Sequence, residues 1–414
     1  MTVLTSRTES ESHQYPFDGG TPRAGLHPLY HRLRIEEPVA RITMPFGAPA
    51  WLVSGYADVI RVLNDDDVFS LNEANGLIPE FEAFDQLLMG MKPDDHRRVR
   101  GFINRAFTPR RTEAMRGLVA QRVDDLLAAA KAGGEPADLV EGLARPLALG
   151  VILDLMGVPA ESRATLTALG FKLLEIPEGT DGELQDQIQS ALGEIGRHLF
   201  GIVVQRAAEP QDDLISDLVA QNEQAKRTGA PHMSDPEFIG LLLLLVMAGS
   251  VPTTSLLSQI ALDLAVNPEH LDFVRESARN RTTAVREYAR FYPVGGDDGR
   301  PRVVTEDVVL SGVLLRAGEI VVAAKDSASF DSHKFDDPMT LKLDRHPNPL
   351  TAFGHGPHVC IGAGLALMMG EELCRALSDR DEFPHYRLAV AEDDVEWIKG
   401  LAVRGPMTVP ALWS

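Results

Sequence analysis

The stretch from Phe238 to Gly249, FIGLLLLLVMAG, is the most apolar in the chain and carries no charge. A helix built from it has no polar face to offer water, so it has to be enclosed by other elements. Crossing roughly 30 Å of hydrocarbon takes about 20 apolar residues, and this run is followed at once by Ser250, Pro252 and Thr253. The run therefore reads as a buried core helix, which needs a chain long enough to surround it. With 414 residues, 44% of them hydrophobic, the chain can bury such a core as one large domain or two smaller ones.

Charge and cysteine content narrow the function classes. The formal net charge of −20 opposes general binding to nucleic acid or anionic membrane, both of which need positive surface. One local exception is HRRVRGFINRAFTPRR, residues 96 to 111, with six arginines and no acid. It is either a solvated basic helix face or a docking or anion site. Cys360 and Cys374 are the only cysteines, and neither CxxC spacing nor an oxidising context suggests a disulfide. The opening MTVLTSRTESESHQYP lacks the apolar core of a secretory signal. Residues 1–25 are expected to be a flexible tail, residues 26–414 one catalytic domain, and the location cytoplasmic.

Periodicity organises the rest. Helix-like pieces at His27–Glu37 and Tyr56–Asp65 alternate with β-type runs at Val39–Met44 and Ala50–Val53. Helical periodicity dominates from Thr108 to Ala289; TEAMRGLVAQRVDDLLAAAKAGG ends in a glycine stop. Strand-like runs return in RVVTEDVVLSGVLLRAGEIVVAA, with Ser-Gly and Ala-Gly turn signals between them. A helix at Ala363–Ser378 and a short β-like tail ending VPALW close the chain. The fold class expected is mainly α with a smaller β portion.

The strongest chemical signal is AFGHGPHVCIGAGLA, residues 352 to 366. Glycines around one cysteine just before a helix allow close backbone approach, take up positive φ where needed, and let N–H groups aim at the sulfur. Such surroundings favour a thiolate, a strong axial ligand for heme iron. Cys374 sits among apolar neighbours in LALMMGEELCRAL and reads as a packed small side chain.

This loop resembles the heme-binding loop of the cytochrome P-450 family, and other family landmarks occur in order from about Leu26 to Trp413. The resemblance implies a P-450 fold with heme b, Cys360 as its thiolate ligand, and Phe353, Gly354 and Gly362 around it. Glu287 and Arg290 of EYAR match the family's buried ion pair, which Arg345 is expected to complete. His96, Arg100, Arg302 and His358 match the groups that receive the two heme propionates; His355 is left as structural or as part of a partner surface. Ferredoxin and ferredoxin reductase are the electron donors implied, with docking on the cysteine side over the arginine-rich stretch, and O2 is a co-substrate.

In this family a long helix, placed here at Asp235–Ala265, crosses the oxygen side of the heme and carries an AG pair followed by an acid and a threonine. Ala248, Gly249 and Thr253 are present, but the acid position holds Pro252 when aligned on Thr253 and Val251 when counted from Ala248. Proline in a helix donates no N–H to the carbonyl four residues back, here Ala248. Either this is a packing kink, or proton delivery relies on water, Thr253 or the substrate's own exchangeable proton. AWLVSGYADVIRVLNDDDVFS and the AG-x-x-x-T spacing resemble actinobacterial members that oxidise cyclic dipeptides, mycocyclosin-forming enzymes among them, although Val403 stands where an active-site arginine is expected. Oxidative coupling of an aromatic cyclic dipeptide or short peptide is the first functional expectation. A hydroxylase and a heme sensor or carrier without turnover are the alternatives. Pocket walls are expected from Leu71–Met91, Phe171–Thr180, Val246–Thr254, Val294–Asp298 and Leu401–Val403.

Overall fold

The computed structural model describes residues 12–17, 26–44, 48–72, 74, 88, 90–175, 182–294, 301–398 and 404–414. Its helices are α1 (Pro28–Glu36), α2 (Tyr56–Asn64), α3 (Pro93–Ile103), α4 (Pro109–Ala114), α5 (Arg116–Gly133), α6 (Arg145–Met156), α7 (Ala160–Glu175), α8 (Gly182–Ala208), α9 (Leu214–Thr228), α10 (Asp235–Val266), α11 (Pro268–Glu276), α12 (Ala278–Phe291), α13 (Lys325–Ala328) and α14 (Ala363–Leu377). The strands are β1 (His13–Gln14), β2 (Val39–Thr43), β3 (Pro49–Val53), β4 (Phe69–Ser70), β5 (Ala137–Asp138), β6 (Arg302–Val304), β7 (Val308–Leu310), β8 (Val313–Leu315), β9 (Ile320–Ala323), β10 (Arg387–Leu388) and β11 (Pro410–Leu412). The chain packs as two compact units, each drawn from three separate segments, so no single linker divides it.

Unit 1 takes Met1–Glu82, Arg286–Cys360 and Lys399–Arg404. Its sheet runs β1-β2-β3-β9-β6-β4, and the period-2 alternation of its strands sorts side chains onto two faces. Ala40, Ile42, Ala50, Leu52, Ile320 and Val322 pack with Tyr30 and Leu33 of α1 on one face. Val39, Trp51, Val53, Val321 and Ala323 pack with Val59, Val62 and Leu63 of α2 on the other. Ser311 (φ 42) and Gly312 (φ 80) turn β7 into β8, as a tight hairpin with two left-handed residues requires. The flexible tail expected over residues 1–25 needs correction at 12–17. There β1 pairs in parallel with β2, and Tyr15 and Phe17 are buried in the α1-side core, because two aromatic rings gain more from that core than a free tail gains in disorder.

Unit 2 takes Ala83–Val285, Ile361–Ile398 and Gly405–Ser414. At its centre lies α10, the 32-residue helix that the apolar run opens. Ser234 and Glu237 form a reciprocal capping box at its start, satisfying two backbone donors, and α6 and α14 pack along it. By length and composition this helix could cross a membrane, so its extent does not decide the matter; more than half of its most apolar window is buried within the protein, which makes it a core helix. Gly249 sits where α10 meets α6: a Cβ there would lie 2.5 Å from Ile152 Cδ1, so a larger residue would force the Ile152 side chain to shift. The helical stretch expected over Thr112–Gly134 is divided: α4 ends at Ala114 and α5 starts at Arg116, running to the glycine stop at Gly134 (φ 94).

Candidate functional site

In unit 1 the cysteine loop is shaped by two left-handed glycines, Gly354 (φ 70) and Gly356 (φ 71). The Gly354 N–H donates to the Thr351 carbonyl at 2.8 Å and the Cys360 N–H to the Phe353 carbonyl at 2.8 Å, closing the loop on itself. A side chain at Gly356 would meet the Leu63 carbonyl at 2.5 Å, so glycine lets the loop rest against the end of α2. Cys360 is exposed. Two residues before it, His358 Nε2 is 2.9 Å from Asp66 Oδ2. Arg302, at the start of β6 and nearly fully buried, donates through Nη1 to Asp66 Oδ1 at 2.6 Å and to the Phe69 carbonyl at 2.9 Å. Burial alone pushes the Asp66 carboxyl up; hydrogen bonds and charge from His358 and Arg302 outweigh it and hold it below the usual range.

In the same unit Glu287, Arg290 and Arg345 form a buried knot. Glu287 accepts from Arg290 Nη2 at 2.7 Å and Nε at 2.8 Å, and from Arg345 Nε at 3.0 Å. The backbone N–H of Lys342 (3.0 Å) and Asn348 Nδ2 (3.1 Å) also donate to it. Remaining guanidinium hydrogens go to the carbonyls of Ser329, Pro338, Asp336 and Asp337. The two guanidinium charges thus share one carboxylate and all three groups are hydrogen-bonded, the condition under which an interior tolerates them. The knot ties α12 to the chain ahead of the cysteine loop.

Unit 2 holds the other expected site residues. His96 is buried and Arg100 partly buried on one face of α3. On α10, Ala248 and Pro252 are exposed and lie one turn apart on a shared face. Thr253 is buried and does not join them. The helix passes through Pro252 without a break. Gly362 occupies the N-cap of α14, and no side chain caps that end. Cys374 is wholly buried on α14, and burial pushes its thiol far up. In the arginine-rich stretch, Arg97 pairs with Asp94, Arg98 with Asp95 and Glu237, and Arg111 with Asp217. Arg105 and Arg110 are exposed, and among the described residues no acid pairs with them. Of the expected pocket walls, residues 73, 75–87, 89, 176–180, 295–298 and 401–403, Val403 among them, lie outside the described residues. Sequence reasoning missed Asp66; its signal was the acidic run Asp65–Asp67 directly after a helix.

The donor set fits a heme. Of the two thiols one is exposed in a glycine-shaped loop and the other is held protonated by burial, so Cys360 is the one suited to bind iron as thiolate. A guanidinium and an imidazole stand in the same unit, as a propionate requires.

Comparison with known proteins agrees. The family model "Cytochrome P450" matches residues 182–377. Nocardicin C N-oxygenase of Nocardia uniformis subsp. tsuyamanensis is 37% identical, over 98% of this chain and 100% of its own. Mycinamicin IV hydroxylase/epoxidase of Micromonospora griseorubida is 34% identical, over 98% and 100%. The solved structure of cytochrome P450mel 107F1, described as having biaryl coupling reactivity, superposes with a TM-score of 0.86 at 33% identity, over 97% of this chain and 100% of that one. This chain belongs to the cytochrome P450 family and has its mainly helical fold. It is a heme b monooxygenase whose near relatives are bacterial P450s of natural-product biosynthesis, and like them it takes electrons from a redox partner and binds O2 and a substrate. A carrier without turnover is set aside.

Proposed function

We propose that this P450 joins aromatic side chains of a cyclic dipeptide or short peptide through a new C–C or C–N bond, drawing electrons from ferredoxin and ferredoxin reductase in the cytoplasm. The observation that supports it is the exposed face of α10, where Ala248 is followed one turn later by Pro252 and no Asp or Glu occurs from Ser250 to Thr254. Pro252 gives the Ala248 carbonyl no N–H, which frees that oxygen from the helix's own hydrogen-bond ladder. It suits a substrate that brings its own donor: a phenol, an indole N–H or a diketopiperazine amide. Such a group supplies the proton that an acid in this turn would otherwise hold.

When bound, heme b would supply O2 activation and one-electron oxidation; Cys360 would hold it as thiolate, with Phe353, Gly354 and Gly362 as the loop residues beside that cysteine. Arg302, His358, His96 and Arg100 would meet the two propionates through charge-assisted hydrogen bonds. Gly249 lets α10 pack close against Ile152 of α6. Joining two rings removes two hydrogens from the substrate; with two electrons from the partner and two protons from water, O2 leaves as two water molecules.

Oxygen insertion is the second reading, favoured by the N-oxygenase and hydroxylase/epoxidase names of two relatives. A binding-spectrum screen over aromatic cyclic dipeptides identifies the ligand, and product mass then separates the readings. Coupling gives loss of two hydrogens, and Pro252→Glu does not raise its rate. A wild type that gives only oxygenated product, made faster by Pro252→Glu, overturns coupling in favour of insertion.

A further inference from the structure

The last turn of α2 and the residues just after it meet the cysteine loop at three points within unit 1. Asn64 Oδ1 lies 2.8 Å from His355 Nδ1, the Leu63 carbonyl backs Gly356, and Asp66 reaches His358. The second oxygen of Asp66 holds Arg302, 236 residues away in sequence. One carboxylate therefore bridges the two unit 1 groups assigned to the heme propionates, although it is itself an anion beside an anion-binding site.

We propose that Asp66 is a positioning residue for the heme propionate that Arg302 and His358 receive. An isolated guanidinium as deeply buried as Arg302 is costly, and Asp66 together with the Phe69 carbonyl lets it stay in place before heme arrives. Two donors held by one rigid acceptor lose little side-chain freedom when the propionate binds. The same carboxylate cancels most of the Arg302 charge, so the propionate is held by oriented N–H groups more than by excess positive charge. An asparagine keeps the shape but offers one acceptor oxygen where two donors arrive, and its amide N–H₂ faces the other.

The inference rests on the assignment of Arg302 and His358, and the experiment separates the two. Hemin release to an apoglobin trap is measured for wild type and Asp66→Asn, each reconstituted with hemin and with the two hemins that lack one propionate. The expected result is release about tenfold faster from Asp66→Asn with ordinary hemin, the loss of one charge-assisted hydrogen bond's worth of orientation. With one of the two truncated hemins that difference disappears. A higher iron midpoint potential in Asp66→Asn is expected as well, because the Arg302 charge is no longer offset. Equal acceleration with all three hemins means a purely structural role and overturns the proposal, as does an unchanged release rate. If wild type holds all three hemins equally well, the assignment of Arg302 and His358 fails and the proposal with it. Should Asp66→Asn not fold, Asp66→Glu, which keeps the charge but displaces it, goes through the same comparison. Dependence on one propionate supports the proposal, and uniform or absent acceleration overturns it.

Discussion

Replacing Glu287 by Gln removes the one negative charge in the knot and leaves Arg290 and Arg345 facing each other in a dry interior. All three side chains are buried, Glu287 and Arg290 almost completely. Five donors converge on the carboxylate: two from Arg290, one from Arg345, the Lys342 N–H and the Asn348 amide. The carboxamide keeps one acceptor oxygen and turns its N–H₂ toward a guanidinium. Breaking a buried pair by removing one partner costs about 3–5 kcal/mol. At about 2.1 cal/mol/K of unfolding entropy per residue, a chain of 414 residues shifts by only about 1 °C per kcal/mol, so the apparent melting temperature should fall by about 5 °C. Scanning calorimetry at one fixed rate measures it, since unfolding of a chain this size need not be two-state. Asp307→Asn, which breaks the exposed pair with Arg316, is the control and should not change melting measurably. If Glu287→Gln melts with wild type, the knot contributes specificity or nothing, and the reasoning from buried charge fails.

Cys360→Ser should lose the strongly red-shifted band of the reduced carbonyl complex that thiolate ligation produces, whereas Cys374→Ser should keep it; the reverse result removes the thiolate assignment. Reduction by ferredoxin should slow as salt rises and when Arg105 and Arg110 are reversed to Glu, because exposed charges act over a Debye length of about 10 Å at 0.1 M. A salt-independent rate removes that docking surface. His31 is held neutral to about pH 4, first by burial and then by the Arg34 charge. The unfolded chain binds that proton from about pH 6.5 downward, so stability present above that value is lost as pH falls toward 4. His31→Gln should flatten this part of the melting-versus-pH curve, and an unaltered slope would count against it.

Much of the fold is legible in local pattern. The apolar run marks the core of α10, whose far end the family resemblance places within one residue of Val266, and the Ser-Gly and Ala-Gly pairs mark turns whose glycines, Gly312 and Gly318, are left-handed. What escapes is non-local. Asp66 reads as the end of a helix because its two partners come from distant segments. Tyr15 and Phe17 sit in a charged, Ser-rich stretch that hides their docking. On α10 helical geometry alone sets Ala248 and Pro252 one turn apart and Thr253 a further 100° round, but only burial tells which face is packed.

The short strand β1 is one of the two outer strands of the six, laid along β2. A chain trimmed to begin at Leu26 would bare the backbone donors and acceptors of β2 on that side and uncover Tyr30, which packs against Phe17 with ring centroids 4.8 Å apart. Such an edge is a template for strand addition by another chain. Shortened forms should therefore self-associate even where heme incorporation is normal, and an expression tag is better joined ahead of residue 12 than substituted for it.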